Sequence, residues 1–203
     1  FRQPSFTELY YTSPTNIPNA DLQLQQSDNY EWGLAYETSA FSAAGDLFYR
    51  HQRDTIDWVR NAGDTKFQAI NAGKVDVRGI DFSAGMPIDL KIFNRARISY
   101  TRLHVDKQSS YDISKYVFDY LRDRAVTTLS ADYGRWHYGL DAVFEYHLDL
   151  KERWIFNAQL RYDIANQAQV FLIGENIFDE DYEEYPFIDG EPLFVKAGVE
   201  VRF

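Results

Sequence analysis

From Leu193 to Phe203 the chain alternates without a slip. Leu193, Val195, Ala197, Val199, Val201 and Phe203 stand against Phe194, Lys196, Gly198, Glu200 and Arg202. A period of two is the signature of a β-strand with one apolar and one polar face. About ten residues is also the length that a tilted strand needs to cross a bilayer. The last strand of a soluble sandwich would look much the same, so recurrence of the pattern has to decide.

The pattern recurs. Trp136, Tyr138, Leu140, Ala142, Phe144, Tyr146 and Leu148 oppose His137, Gly139, Asp141, Val143, Glu145 and His147. Trp154, Phe156, Ala158, Leu160 and Tyr162 oppose Ile155, Asn157, Gln159, Arg161 and Asp163. Tyr30 to Glu37 and Ala96 to Thr101 repeat the theme. Within the apolar rows the rings sit at the ends and Leu140 and Ala142 in the middle. That order is expected when rings lie at two headgroup levels and aliphatic groups meet hydrocarbon. A sandwich places its bulky residues at the centre of its core. The opposite rows carry Glu, Arg, His, Asp, Gln and Gly, which suits an aqueous or plugged lumen.

Composition agrees. Aromatics make up 17% of the 203 residues, with 15 Tyr and 15 Phe. Mean hydropathy is −0.46, and no apolar run is long enough for a membrane helix. Barrel strands escape that contradiction, because alternation hides their lipid face. The net charge of −10, from 21 Lys+Arg and 31 Asp+Glu, argues against nucleic acid as a partner.

The fold expected is all-β, an antiparallel transmembrane meander. Strands are placed near 29–39, 43–56, 67–86, 94–106, 123–134, 136–148, 153–163, 167–175 and 193–203. Connections near 40–42, 87–93, 134–135 and 164–166 are short and fall on one side. Those near 57–66, 107–122 and 176–192 are longer and fall on the other, with a short link near 149–152 as the departure. Short turns on one side and long loops on the other are usual for outer-membrane barrels. Over 111–126 the spacing of Ile113, Tyr116, Val117, Tyr120 and Leu121 suggests a short helix packed on a loop, against the alternative of loop aromatics filling space.

Several stretches now carry a family resemblance. Phe1-Arg2-Gln3-Pro4-Ser5-Phe6-Thr7-Glu8-Leu9-Tyr10 resembles a segment of TonB-dependent outer-membrane receptors. Asn19-Ala20-Asp21-Leu22 with Asn29-Tyr30-Glu31-Trp32-Gly33-Leu34 is similar to the segment that follows it, although the usual Pro-Glu before the strand is missing. Asn71 and Val75 with Gly79-Ile80-Asp81 match a further motif, with Asp in place of Glu. Asn176-Ile177-Phe178-Asp179-Glu180-Asp181-Tyr182 resembles the signature before the closing strand, and the terminal Phe203 completes the order.

The resemblance covers essentially the whole chain, 1–203, and implies the C-terminal part of a barrel of about 22 strands, with the plug domain and earlier strands elsewhere. It implies a bacterial outer-membrane location and energy-coupled uptake of a large scarce nutrient, a vitamin B12-like corrinoid or a ferric siderophore. Implied partners are outer-membrane lipid, the TonB complex through the absent plug, and the barrel-assembly machinery, which would read Val199, Val201 and Phe203. A surface lipoprotein partner is left open. No cofactor is implied. With unpaired edges at both ends of nine strands, such a piece is expected not to insert and transport by itself.

No enzyme signature is present: His51, His104, His137 and His147 lack metal-ligand spacing, and neither GxSxG nor a P-loop occurs. Ligand contact in this family falls on external loops, which makes Trp58, Arg60, Tyr116, Tyr120, Tyr185 and Phe187 the candidates. An indole beside a guanidinium can stack on and hydrogen-bond a large amphiphilic ligand; girdle and loop packing is the plainer role for each. Ile56-Asp57-Trp58-Val59 and Ser114-Lys115-Tyr116 resemble the vitamin B12-receptor branch. Two other classes remain: a small self-contained barrel acting as anchor or adhesin, which would have to fill its interior with side chains, and a soluble β-rich binding module.

Overall fold

The structure, a computed structural model, describes residues 1–108, 111–115, 121–148, 150–185 and 188–202. In chain order the elements begin with α1 (Phe6–Tyr10), β1 (Asn16–Ile17), β2 (Gln26–Glu37), β3 (Ser42–Arg53), β4 (Ile56–Arg60) and β5 (Phe67–Asn71). There follow β6 (Lys74–Pro87), β7 (Arg95–Gln108), β8 (Ile113–Ser114), β9 (Leu121–Tyr133) and β10 (Trp136–His147). Last come β11 (Arg153–Ala165), β12 (Ala168–Glu175), β13 (Glu183–Tyr185), β14 (Ile188–Asp189) and β15 (Phe194–Val201).

Nine long strands form an antiparallel meander in the order β15-β12-β11-β10-β9-β7-β6-β3-β2. Short connections, 38–41, 88–94, 134–135 and 166–167, join the strands at what we term the turn end. Gly134 takes φ +60° at the first position of its two-residue turn, a hairpin geometry that suits glycine. Longer segments, 54–73 and 176–193 among them, leave from the loop end. The nine expected strands are all present, with two corrections. The stretch 67–86 is not one strand: Gly73, at φ +99°, separates β5 from β6. Over 111–126 the described residues are extended, in β8 and β9, rather than helical; residues 116–120 lie outside the described part.

The chain divides into two compact units, each described by itself: Phe1–Trp32 with Leu47–Gly79 and Leu103–Tyr120, and Gly33–Asp46 with Ile80–Arg102 and Leu121–Phe203. In the second unit Leu140 faces Ala158 on one side and Leu129 on the other. The alternation puts these outward with Leu160 and Val199, and Leu140, Leu160 and Val199 are 42%, 38% and 64% exposed. A water-soluble body would have sealed them together. A contiguous exposed apolar face of this kind marks a membrane or partner surface. Rings cap the outward row at both heights. Trp136 and Tyr162 pair at 4.6 Å near the turn end, and Phe144 and Trp154 at 5.0 Å near the loop end. The inward row includes Gly198, above which the Phe171 ring lies; a Cβ there would stand 2.5 Å from the ring.

The first unit builds its own small core. Its second sheet runs β1-β5-β4-β8, with β4 and β5 an antiparallel pair in which Trp58 faces Ala69. Leu22, Ile56, Trp58 and Ala69 are buried together, with Leu9 and Phe67 packed on them. The opening motif explains how Leu9 arrives there. Ser5 caps α1, its Oγ accepting from the Glu8 N–H at 3.3 Å, while Glu8 Oε2 accepts from the Ser5 N–H at 2.7 Å. This reciprocal box satisfies two donors that a helix start leaves open. Arg2 adds an ion pair to Glu8 at 2.6 Å.

Candidate ligand-facing site

Two constellations lie at loop ends. In the first unit, Asp57 is fully buried; its carboxylate accepts the Trp58 N–H at 2.7 Å and the Ser114 hydroxyl, tying β4 to β8. Lys115 donates to Asn16 Oδ1 at 2.9 Å and sits over Phe67 at 4.5 Å and Trp58 at 5.6 Å. Loss of water around the ammonium lowers the Lys115 pKa, with the Asp57 charge acting against that shift. Arg60 stacks on Phe67 from 4.8 Å and donates to the Asp64 carbonyl at 3.3 Å.

The second constellation is on the inward face of β9, β10 and β11. Glu145 lies between two arginines: Arg124 Nε donates to one carboxylate oxygen at 3.0 Å, while Arg153 Nε and Nη2 donate to the other at 2.8 and 2.5 Å. Register makes this possible, since Glu145 faces Arg124 on β9 and Arg153 on β11. Arg153 also donates to the Glu183 carbonyl, and its guanidinium lies 4.4 Å from the centre of the Tyr182 ring. Removing either partner from so buried a pair would strand a charge, which is why the pair acts as a fixed unit.

The last long loop is held beside it by the motif residues. Asn176 is buried in a left-handed conformation, φ +49°. Its N–H donates to Asn157 at 2.9 Å, its side-chain amide to the carbonyls of Glu180 and Glu191, and its Oδ1 accepts from Glu180 at 2.9 Å. Asp179, at φ +54°, accepts the Leu193 N–H at 2.8 Å. Asparagine and aspartate tolerate the left-handed region and bond locally. The wall and the loop enclose an open cleft of about 430 Å³, whose lining includes Arg124, Asp141, Glu145, Arg153, Tyr182 and Glu191. Its chemistry is that of a dense set of oriented donors and acceptors. Among the described residues no group of three or more His, Cys, Asp or Glu is arranged to hold a metal ion.

The residues expected from sequence are distributed as follows. Trp58 is 4% exposed and belongs to the core of the small sheet, so its indole shapes the loop rather than facing solvent. Arg60 lies at the edge of that sheet. Tyr185 has its backbone in β13, with its side chain outside the described part. Tyr116, Tyr120, Phe187 and Phe203 lie outside the described residues. Val199 and Val201 are on the exposed face of β15. The Arg124–Glu145–Arg153 ladder was not singled out beforehand, because pairing across three strands depends on register.

The family model described as "TonB dependent receptor-like, beta-barrel" matches residues 1–177. No curated protein is a match. Among solved structures, the copper transporter OprC superposes with a TM-score of 0.79 at 14% identity, over 100% of this chain and 35% of its own. The FrpB iron transporter from Neisseria meningitidis gives 0.70 at 14% identity, over 93% and 33%. The siderophore receptor PirA from Pseudomonas aeruginosa gives 0.70 at 15% identity, over 99% and 35%. At these identities the likeness is one of fold, and the chain spans about a third of the length of each. With the matched model covering most of its length and its nine-stranded meander superposing on such barrels, the chain belongs to the TonB-dependent receptor family, as part of the β-barrel.

Proposed function

We propose that this chain is the C-terminal part of an outer-membrane receptor that imports a metal ion or a ferric chelate, rather than a corrinoid, with energy supplied through a TonB complex. The observation that carries this reading is the two-sided wall: a ring-bordered apolar row outward and the Arg124–Glu145–Arg153 ladder, with Tyr182 and Asn176, inward. The fold neighbours named above are transporters and receptors for copper, iron and siderophores, which supports a metal-containing ligand over an adhesin or anchor. Coupling would run through a plug domain elsewhere in the protein, and assembly would read the closing strand with Val199, Val201 and Phe203.

Ligand contact falls on the loop end, with Arg60, Tyr116, Tyr120, Tyr185 and Phe187 as the contacting candidates. Trp58 serves by holding the β4–β5 hairpin in shape. The corrinoid reading drew on Ile56 to Val59, Ser114 to Tyr116 and Tyr120 to Arg122, of which Ile56 and Trp58 build the small core; the fold neighbours favour a metal ion or ferric chelate as cargo. The test is uptake by the full-length receptor in cells lacking their other receptors, with copper, a panel of ferric siderophores and cyanocobalamin offered separately. Uptake of copper or a ferric chelate by the folded receptor supports the proposal; exclusive uptake of the corrinoid overturns it.

A further inference from the structure

The outward row of the second unit is uneven along its length. Toward the turn end it carries Ala131, Tyr133, Trp136, Tyr138 and Tyr162, and among the described residues no charge. At the loop end the same row ends on charges. Arg102 faces Asp123 across β7 and β9, and Asp123 faces Tyr146 across β9 and β10. Arg122 is the extra residue where that register shifts, between the pairs Tyr146–Asp123 and His147–Leu121. Its guanidinium lies 5.5 Å over the Tyr146 ring, which puts it on the outward side as well.

Two guanidiniums therefore share one carboxylate. Arg102 and Arg122 approach Asp123 through Nε at 3.7 and 3.5 Å, and Tyr100 donates its hydroxyl to the same carboxylate at 2.5 Å. The arginines remain 49% and 35% exposed, whereas Asp123 is 14% exposed. Both guanidiniums stay accessible to a further acceptor, Arg102 while also bonded to the Tyr100 side chain, and the cluster of two arginines and one aspartate is net positive on a chain whose overall charge is −10. Charges on a lipid-facing barrel surface cost several kcal/mol at mid-bilayer and little at the interface. Their position beyond Tyr100 and level with Tyr146 therefore sets them at headgroup height, since such rings mark that level. A forked guanidinium matches the oxygens of a phosphate.

We propose that Arg102 and Arg122 bind the phosphate of an anionic lipid headgroup in the leaflet around the loop end, with Asp123 spacing the two guanidiniums and Tyr146 supporting one of them. The proposal rests on the membrane-embedded reading of the barrel, not on which nutrient it imports. It also explains the asymmetry, because the leaflet at the turn end meets an uncharged row and the leaflet at the loop end meets arginines.

The experiment uses the full-length receptor in detergent, titrated with a diphosphorylated acyl-glycolipid, its dephosphorylated form, and inorganic phosphate, and read by native mass spectrometry. Heat-modifiable gel mobility confirms that each variant is folded. Arg102→Gln/Arg122→Gln is expected to weaken the phosphorylated lipid roughly tenfold and to leave the dephosphorylated lipid unchanged. Asp123→Asn, which frees both guanidiniums, is expected to tighten it by roughly twofold or more. Equal binding of both lipids by wild type, an unaffected arginine double variant, or Asp123→Asn weakening the phosphorylated lipid as much as the double variant each overturns the proposal. So does inorganic phosphate competing as well as the lipid, which would make this a free-anion site. Loss of nutrient uptake with lipid discrimination intact would count against the proposed function alone, and a receptor soluble without detergent would count against the membrane placement itself.

Discussion

The guanidinium of Arg153 bonds Glu145 through two nitrogens and covers the Tyr182 ring at 4.4 Å, so one side chain fastens both the barrel wall and the last long loop. Truncating it leaves Glu145 buried with only Arg124 as an ionic partner. Arg153→Ala is expected to cost the folded barrel about 3–5 kcal/mol, read as a lower temperature of the heat-modifiable transition. Arg153→Lys should recover only part, because an ammonium cannot reproduce the fork.

Asn176 makes five hydrogen bonds from a left-handed backbone, three of them through its side chain. Asn176→Ala removes the three that involve the side chain and asks a Cβ residue to hold φ +49°. A loss of about 2–4 kcal/mol is expected, appearing as faster proteolysis within 177–192 while the strands stay protected. Asn176→Gly should be the milder of the two in backbone strain and equal in lost bonds.

Glu8 supplies a pH dependence that can be signed. Burial pushes its carboxyl upward, but the Ser5 N–H and hydroxyl and the Arg2 guanidinium together outweigh that, and the net shift is downward. A depressed folded value means that the carboxylate stabilises the segment above its ordinary pKa and that this contribution drains away as pH falls through the folded one. The protection factors of the α1 amides, that is exchange corrected for its intrinsic pH dependence, should therefore fall on acidification. In Glu8→Gln the protection should be lower at neutral pH and nearly flat over the same range. An unchanged pH profile in Glu8→Gln would refute the assignment.

The two faces of β10 and β11 give opposite mutational responses. Leu140→Arg, at the middle of the outward row, is expected to cost about 2–4 kcal/mol in a bilayer. Gln159→Lys, one residue away in register but inward, should fold with near wild-type yield. Similar losses from both would mean that the row does not face hydrocarbon.

Much of this architecture could be read from the chain. The period of two located most of the long strands, and Trp136–His147 and Arg153–Ala165 lie within two residues of the expected 136–148 and 153–163, whereas 167–175 was expected despite the break in alternation at Val170 to Ile173. What alternation could not show was a change of sheet without a change of period: Phe67–Asn71 and Lys74–Pro87 both alternate, and only the backbone at Gly73 separates them. Where the helical spacing begins, Ile113 and Ser114 instead pair with β4; Tyr116, Val117 and Tyr120 lie outside the described residues. Of the site, the motif from Asn176 to Tyr182 was visible as a string, but its bonds to Asn157 and Glu191 are distant in sequence. Trp58 was noticed for its chemistry and turned out to serve packing, a distinction that needs the third dimension.

Burial of Trp58 in the β4–β5 hairpin has one more implication. A loop with its own closed apolar kernel has already surrendered its conformational freedom during folding. A molecule arriving at it would meet a shape rather than a search, and little of the encounter energy would be consumed in imposing order.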